Sequence, residues 1–400
     1  MASETNGPDA PAKIWNRAFC SILLANAVMN LCQHMINALL PKYVDSMGLQ
    51  ATTIGMLMSA YTFTALVLRF VAGPVMDTYN KKYIATIAMI GLAVAYAGFG
   101  VSKSISMMMA FRLLQGAVMA FCNACCLAMA SENIPKDKYA SGIGYFSLGM
   151  VIGQALGPVV ALELLGWMGY RATYFITAGL SIIATLMALL IKNSFTQTKK
   201  LVISFKSAIA FEAMFPSLLL ALLYISISAV NSFLIVFAEK QGVTQNIGLY
   251  FTVYALVMLL TRPLLGKLTD RHGLLKVLIP SLCAGIAAFI IISVSNALWS
   301  FVTAAVLAAF GFGACVPIAQ TQTMKSVANE RRGAASSTNY IFMDIGVLVG
   351  SNLSGLLVQS FGYSAMWNLM IAPLVFAMGA SIFARNAISR VEKSFNENMS

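Results

Sequence analysis

Long apolar runs, separated by short polar turns, follow one another along almost the whole chain. An apolar run of about 20 residues can cross a bilayer as a helix, and a helix satisfies every backbone polar group within its own segment. Alternation over about ten residues, which would indicate a membrane barrel strand, does not occur. The pattern predicts an all-α polytopic membrane protein with twelve transmembrane helices, at roughly 17–41, 52–72, 83–101, 104–129, 140–164, 172–191, 212–238, 247–265, 276–295, 298–324, 335–359 and 364–385.

Hydrophobic residues make up 59% of the 400 residues, and charged residues only 10%. A soluble domain has about a quarter of its residues charged, so the composition excludes an ordinary soluble globule and a disordered chain. The net charge of +12 does not indicate nucleic acid, because the bases lie in short clusters between apolar runs. The cysteines lie inside apolar runs, without the histidines or acids that a zinc site needs. We therefore expect no cofactor, metal or nucleic-acid partner, and a surrounding of membrane lipid.

The lysines and arginines are distributed unequally between the turns. If the N terminus is cytoplasmic, 19 of the 26 bases fall on the cytoplasmic side and three, Arg69, Arg112 and Arg262, lie within spans. The four on the other side are Lys42, Lys103, Arg171 and Lys240. Basic loops stay in the cytoplasm, so we expect both termini there, in a multi-pass protein of the cell membrane. The basic segment 192–211 is predicted to be a cytoplasmic linker. It divides the chain into a tail (1–16), a six-helix bundle (17–191), a second six-helix bundle (212–385) and a C-terminal tail (386–400).

The two predicted bundles repeat one another in sequence. At a constant offset of 193, the matched pairs are Ile54 and Ile247, Tyr61 and Tyr254, Arg69 and Arg262, Gly73 and Gly266, and Asp77 and Asp270. At an offset of 194 they are Asn37 and Asn231, Asp45 and Glu239, and Gly48 and Gly242; at 197 they are Gly149 and Gly346, and Gly153 and Gly350. Ordered sets at nearly one offset indicate two homologous, pseudo-symmetric bundles in parallel, which is one build of secondary transporters.

A loop motif follows the second span of each half. Its residues are Gly266, Asp270, Arg271 and Gly273 in the second half, and Gly73, Asp77, Lys81 and Lys82 in the first. The first copy has Thr78 in place of a base and Asn80 in place of a glycine. Asparagine tolerates a left-handed turn, so we expect Asn80 to keep the turn. The aspartate can pair with an arginine or a helix N-terminus in one conformation only. This favours a gating loop, and a static turn with topogenic lysines is the alternative.

Two further motifs lie inside spans. The fourth span contains Arg112-Leu113-Leu114-Gln115-Gly116, and the fifth contains Gly149, Gly153 and Gly157, followed by Pro158. Glycines four residues apart also form a simple packing face, which is the alternative to a specialised role. With the loop motif, these residues resemble the major facilitator superfamily over 17–385. The glycine–proline motif resembles the drug:proton antiporter branch, although Ala161 and Leu162 stand where that branch has two glycines.

The resemblance implies a major facilitator fold, in which spans 1, 4, 7 and 10 surround a central cavity between the two bundles. It also implies a bacterial inner membrane as the location. We expect a monomer.

Polar side chains recur at helical spacing in the first span. They form one stripe, Asn26, Asn30, Gln33 and Asn37, with His34 beside it; a weaker stripe in the seventh span is Tyr224, Ser228 and Asn231. In lipid, such stripes face protein or a water-filled cavity. We predict that they line the substrate cavity together with Arg112 and Gln115. Hydrogen bonds that only join helices are the alternative.

Asp344 is the acid deepest in a predicted span, on one helix face with Ser337, Tyr340 and Ser351. An ionisable residue at that depth indicates a functional site. We predict that Asp344 binds the coupling proton, and His34 is the second titratable candidate. A fixed pair with Arg112 or with another buried donor is the alternative.

No phosphate-binding loop of the P-loop type occurs, so a gradient must supply the energy. We predict a secondary active transporter that works by alternating access and exports a small molecule in exchange for protons. The alternative is a proton-coupled symporter or a uniporter that imports a metabolite such as an organic acid or a sugar. A membrane enzyme is not expected, because the two histidines lie far apart.

Overall fold

The computed structural model describes residues 15–134, 139–189, 209–327 and 332–386. These residues are helical apart from short turns, and they contain no strand. The helices are α1 (Arg17–Ser46), α2 (Ala51–Thr78), α3 (Lys81–Val101), α4 (Ile105–Glu132), α5 (Tyr139–Leu189), α6 (Met214–Lys240), α7 (Leu249–His272), α8 (Leu274–Val294), α9 (Leu298–Lys325), α10 (Arg332–Phe361), α11 (Tyr363–Leu369) and α12 (Ala372–Phe383).

The predicted all-α membrane fold is confirmed. Ten of the described helices are long and apolar enough to cross a membrane, and a shorter apolar stretch, Leu249–Thr261, lies in α7. The range of α5 contains the fifth and sixth predicted spans, and Gly169, with φ 75° and ψ 173°, breaks the helix between them. The twelfth span consists of α11 and α12, and α12 has proline in its first turn, where a missing backbone N–H costs nothing.

Several helices extend beyond the apolar runs that predicted them. We expected the first span to end near residue 41 and the second near 72, but α1 continues to Ser46 and α2 to Thr78. Pro41 lies inside α1 without ending it, and polar last turns can project past the hydrocarbon layer. Of the predicted linker, residues 192–208 lie outside the described residues, as do 1–14 and 387–400 of the predicted tails.

Successive spans alternate in direction, so their ends fall on two faces of the molecule. We call the face at which α1 begins the basic face, because the turns expected there hold most of the lysines and arginines. We call the other face, at which α1 and α6 end and α2 and α7 begin, the opposite face.

One close pair of helices in each half is duplicated by the repeat. In the first half, a Cβ on Gly153 of α5 would lie 2.6 Å from the carbonyl carbon of Asn30 and 2.8 Å from the backbone nitrogen of Leu31, both in α1. In the second half, a Cβ on Gly350 of α10 would lie 2.7 Å from the Cα of Ile225 in α6. Leu31 and Ile225 are matched positions at the offset of 194. The geometry therefore reproduces the sequence repeat.

The main helix pairs between the two halves are α1 with α6, α2 with α10, and α5 with α7, and α2 also contacts α6. Between α5 and α7, the Thr252 hydroxyl donates to the carbonyl of Ala155 at 2.8 Å. A small apolar cluster adds Val151 on the α5 side and Ala255 and Met258 on the α7 side. The interface thus combines apolar packing with a few polar contacts.

Gly153→Ala is expected to lower stability, because the added methyl group would meet the α1 backbone and force the helices apart. Overpacking of this kind costs about 1–3 kcal/mol. The matched control is Gly179→Ala, also in α5, where nothing lies within 4 Å of an added Cβ. Thermal unfolding of the purified variants in detergent measures the difference. Equal melting temperatures for the two variants would contradict the packing.

Candidate functional site

A buried hydrogen-bond network joins α1 to α4. The guanidinium of Arg112 donates from Nη1 to Gln115 Oε1 at 2.7 Å and from Nη2 to Asn37 Oδ1 at 3.1 Å. Gln115 Nε2 donates to Gln33 Oε1 at 2.8 Å, and Gln33 Nε2 donates to Asn37 Oδ1 at 3.3 Å. Four of the predicted cavity residues therefore form one closed ring of side chains.

Arg112 is only 1% exposed, and its remaining contacts come from α2. Its Nε donates to the carbonyl of Leu57 at 3.3 Å, Nη2 lies 3.5 Å from the sulfur of Met58, and the guanidinium carbon lies 4.9 Å from the centre of the Tyr61 ring. These acceptors are all neutral. The positive charge is thus stabilised by dipoles and by the aromatic face rather than by a carboxylate.

The other polar residues of α1 lie against α5. Asn26 Nδ2 donates to the carbonyl of Phe146 at 3.3 Å, and Asn30 Nδ2 donates to the Asn26 carbonyl at 2.8 Å. A Cβ on Gly157, which precedes Pro158 in α5, would lie 2.6 Å from the Cβ of His34, and one on Gly149 would lie 2.9 Å from Asn26 Nδ2. The three glycines of the fifth span form the packing face for this part of the polar stripe.

The polar stripe of α6 also has two parts, one packed within the second half and one that faces open space. A Cβ on Gly346 of α10 would lie 2.9 Å from the Cβ of Tyr224, and the Ser228 hydroxyl donates to the Ile225 carbonyl at 2.8 Å. Asn231 instead is exposed and lines a cavity between the halves. Of the three predicted residues, Asn231 is the one that the structure places on an open surface.

Asp344 forms an ion pair between the two halves. Its Oδ2 accepts from Arg69 Nε at 3.0 Å and lies 2.9 Å from Arg69 Nη2, so α2 and α10 are bridged within their spans. The guanidinium carbon of Arg69 also lies 5.0 Å from the centre of the Tyr340 ring. The sequence left open a fixed pair of Asp344 with Arg112 or with another buried donor, and Arg112 turns instead to α1 and to its own neighbour Gln115. The partner of Asp344 is Arg69.

A second set of charges joins the halves at the opposite face. Lys42 near the end of α1 pairs with Glu239 of α6, and Asp45 Oδ1 lies 3.1 Å from Lys240 Nζ. Each helix contributes one acid and one base to this four-charge cluster. All four side chains are partly exposed, with 22% to 47% of their surface accessible. Exposed pairs contribute about 0–1 kcal/mol each, so the contact between the ends of α1 and α6 gains little free energy from this cluster.

The sequence matches the family model described as Major Facilitator Superfamily over residues 22–244 and 216–398. The chain belongs to the major facilitator superfamily. One relative, multidrug resistance protein MdtG of Salmonella paratyphi C (strain RKS4594), is 26% identical over 396 residues, which cover 94% of this chain and 96% of the relative.

Solved structures of superfamily transporters share the fold. A bacterial homologue of the human lysosomal transporter Spinster, inward-facing and unoccupied, matches with a TM-score of 0.76 at 16% identity, covering 96% of this chain and 99% of its own. The nucleoside transporter NupG matches with a TM-score of 0.75 at 14% identity, covering 93% and 98%. At such identities the likeness establishes the major facilitator fold.

The loop motif of the superfamily lies at helix ends on the basic face. Gly73 and Asp77 belong to the last turns of α2, Gly266, Asp270 and Arg271 belong to the last turns of α7, and Lys81 and Lys82 begin α3. The side chains of Asp77 and Asp270 lie outside the described residues. A gating role for these loops stays a prediction.

The expectation that Asn80 keeps a left-handed turn is wrong. Its φ is −64°, and its side chain caps α3 by accepting from the backbone N–H of Lys82 at 3.0 Å. The matched Gly273 has φ 84°. The two copies therefore turn differently, because an asparagine at a helix start gains a capping hydrogen bond that glycine cannot make.

Sequence reasoning assigned Arg69 to a span and gave it no role. The available signal was its match to Arg262 in the repeat, together with the cost of a charge within a span. The ion pairs of Lys42 and Lys240 were missed for a different reason. Both are among the few bases on the less basic side, and only the packing of α1 against α6 brings them to their acids.

Gln115→Leu is expected to destabilise this superfamily member, because it leaves Arg112 Nη1 and Gln33 Oε1 unpaired in the interior. An unpaired buried polar group costs about 1–3 kcal/mol. The matched control is Gln320→Leu, since Gln320 contacts the Met343 sulfur at 3.8 Å and removing its amide leaves no charge unpaired. Melting temperatures of the purified variants provide the test. An unchanged value for Gln115→Leu would show that the ring does not contribute to stability.

Lys42→Glu is expected to separate the ends of α1 and α6, because it places like charges beside Glu239. The double variant Lys42→Glu/Glu239→Lys should restore the distance between these two helix ends to its value in the parent protein. Spin labels on cysteines at Met47 and Gln241 measure it by pulsed electron resonance, in a background without Cys20 and Cys283. At 1 M salt, where screening acts over about 3 Å, the difference should shrink. A double variant as open as the single one would contradict the pairing.

Proposed function

We propose that this protein exports small molecules in exchange for protons by alternating access, in the cell membrane with both termini in the cytoplasm. Membership of the major facilitator superfamily supports a secondary transporter rather than an enzyme. The relative named as a multidrug resistance protein covers nearly the whole chain and supports export. The excess of lysine and arginine in the turns of the basic face supports the orientation.

The observation that carries the proposal is the ion pair of Asp344 with Arg69. The two side chains belong to different halves, and the Asp344 side chain is only 15% exposed. Protonation removes the negative charge of Asp344 and with it the attraction to Arg69. The contact between α2 and α10 then weakens, so a proton changes the balance between the two access states.

The four-charge cluster at the opposite face complements this ion pair. With the termini in the cytoplasm, the cluster closes the extracellular ends of α1 and α6. A substrate then enters from the cytoplasmic side while the cluster is closed, and leaves after it opens. Two sets of ion pairs at different depths thus separate proton binding from closure of the outer face.

The importer alternative has less support from the side-chain contacts. An organic acid would need a free cation in the pathway, and among the predicted cavity residues the permanently charged one is Arg112. Each of its nitrogens has an acceptor on a neighbouring side chain or carbonyl. A carboxylate could replace these contacts only if the buried ring of Gln33, Asn37 and Gln115 came apart.

Asp344→Asn is expected to abolish proton-driven transport, because the amide cannot titrate. Purified protein in liposomes, with an imposed pH gradient and a pH-sensitive dye inside, reports substrate flux and proton movement over a substrate panel. Gradient-driven accumulation should fall by at least about tenfold, the effect of losing roughly 1.4 kcal/mol of coupling. Substrate exchange without a gradient should persist.

The matched control is Glu163→Gln, which neutralises an exposed acid on α5 and should keep proton-driven transport. Undiminished proton-coupled flux by Asp344→Asn would refute the role of Asp344. Uptake into the liposomes in the direction of proton flow would refute export.

A further inference from the structure

Tyr340 lies beside the ion pair that joins the two halves, and the function proposed above gives it no role. It precedes Asp344 by four residues on α10, so the ring and the carboxylate lie on the same face of that helix, one turn apart. The guanidinium carbon of Arg69 lies 5.0 Å from the centre of the Tyr340 ring. Arg69 of α2 therefore contacts α10 at two neighbouring places.

The carboxylate alone leaves the orientation of Arg69 incompletely fixed. Nε and Nη2 of Arg69 both approach the same oxygen, Asp344 Oδ2, at 3.0 and 2.9 Å. A guanidinium is held in one orientation best when two of its N–H groups bind two different oxygens, and 33% of the Arg69 side-chain surface is accessible. The face of the Tyr340 ring supplies a further contact, which limits the orientations that the guanidinium can adopt.

The two contacts of Arg69 respond differently to a proton. Protonation turns the Asp344 carboxylate into a neutral carboxyl group, whereas Arg69 stays charged because a guanidinium does not lose its proton in proteins. The ion pair is lost in this step. The attraction between a guanidinium and an aromatic face depends on the quadrupole of the ring, and a proton on Asp344 leaves that ring unchanged.

Arg112 shows that this protein holds an arginine within a span by a ring and neutral acceptors. Its guanidinium carbon lies 4.9 Å from the centre of the Tyr61 ring, and its other contacts are neutral oxygens and a sulfur. A protonated Asp344 presents a neutral carbonyl oxygen beside the Tyr340 ring. Arg69 then has the same kinds of contact as Arg112, although fewer of them.

Most other titratable groups on the helices packed against α10 lie near helix ends. Among the described residues these are Glu239, Lys240 and Tyr363 at the opposite face, and Glu212 and Lys325 at the basic face. Within the spans, α2 contributes Arg69 and Tyr61, and α6 contributes Tyr224. Arg69 is the charged group that acts on the Asp344 carboxylate, so a proton on Asp344 mainly changes the contacts of Arg69.

We infer that Tyr340 is a positioning residue, which keeps Arg69 on α10 while Asp344 is protonated and presents it to the carboxylate again when the proton leaves. As regulation of the exporter, the assignment rests on the proposed function. Without the ring, Arg69 would leave α10 for water once the carboxylate is neutral. The contact between α2 and α10 would then no longer re-form in step with proton release.

The test uses Asp344→Asn as a lasting mimic of the protonated acid, so that the ring contact is measured without transport. Spin labels on cysteines at Tyr79 and His272, exposed residues at the basic-face ends of α2 and α7, report the distance between the halves by pulsed electron resonance. The protein is in lipid nanodiscs, in the same cysteine background as above. Asp344→Asn/Tyr340→Leu should raise the odds of the separated population about two- to fivefold over Asp344→Asn, the factor that one cation–π contact supplies.

Tyr340→Phe decides whether the ring or the hydroxyl acts. Asp344→Asn/Tyr340→Phe should keep the distance distribution of Asp344→Asn, because phenylalanine retains the aromatic face. The matched control is Asp344→Asn/Phe175→Leu, since the Phe175 ring centre lies 6.0 Å from the guanidinium carbon of Arg171 within the first half. This control should also keep the distribution.

The same substitutions are then measured in the liposome flux experiment, with Asp344 intact. Tyr340→Leu should lower proton-driven accumulation about two- to fivefold, and Tyr340→Phe should restore it. Substrate exchange without a gradient should persist in both variants, because neither removes a group from the buried ring around Arg112.

Equal separated populations in Asp344→Asn and Asp344→Asn/Tyr340→Leu would overturn the assignment. So would a Tyr340→Phe variant that behaves like Tyr340→Leu, or undiminished proton-driven flux by Tyr340→Leu. Distances that depend on the ring, without proton-driven flux in the parent, remove the exporter and keep the ring contact. Proton-driven flux in the parent, with distances that do not depend on the ring, removes the role of Tyr340 and keeps the exporter.

Discussion

The cost of placing an ionised side chain within a bilayer is the constraint on which this structure depends. Such a charge must be paired, or surrounded by dipoles, or face water. Arg112 meets the requirement with neutral acceptors from α1, α2 and α4, and Asp344 meets it with Arg69 across the interface between the halves. The Arg112 ring and the Asp344 ion pair differ in whether a relative movement of the two halves can break them. The Arg112 ring lies within one half and holds three helices together, whereas the Asp344 pair lies between halves and breaks when they separate.

The internal repeat explains the scaffold better than it explains the function. The close packing of α5 on α1 recurs as α10 on α6, with glycines at matched positions and matched backbone neighbours. The charges recur only in part, because Arg69 has Arg262 at its matched position whereas Asp344 has no matched acid. The position that matches Asp344 at the offset of 197 is Ser147, and Asn80 caps a helix where Gly273 makes a turn. The two bundles are similar, and single residues that differ at matched positions make their facing surfaces different.

The polar stripes show how far helical spacing can be interpreted. Spacing placed the amides of α1 on one face, but it could not say what the face touches. The structure divides the stripe: one part closes a ring with Arg112, another packs on the α5 glycines, and the stripe of α6 reaches the cavity at Asn231. Spacing missed Gln154, Tyr250 and Tyr254, which line the same cavity, because a polar or aromatic residue in an apolar span has the same pattern whether it packs or binds.

The sequence alone determined the helical membrane fold, the twelve spans, the two homologous halves and the family, because these depend on hydrophobicity, length and repetition, which are local or periodic properties of the chain. Tertiary structure decided which charged side chains pair with one another. Arg69 and Asp344, or Lys42 and Glu239, are hundreds of residues apart, and their contact depends on the angle and depth at which two bundles meet. No local pattern encodes that arrangement, because it is the sum of many small packing contacts between helices that the chain connects only distantly.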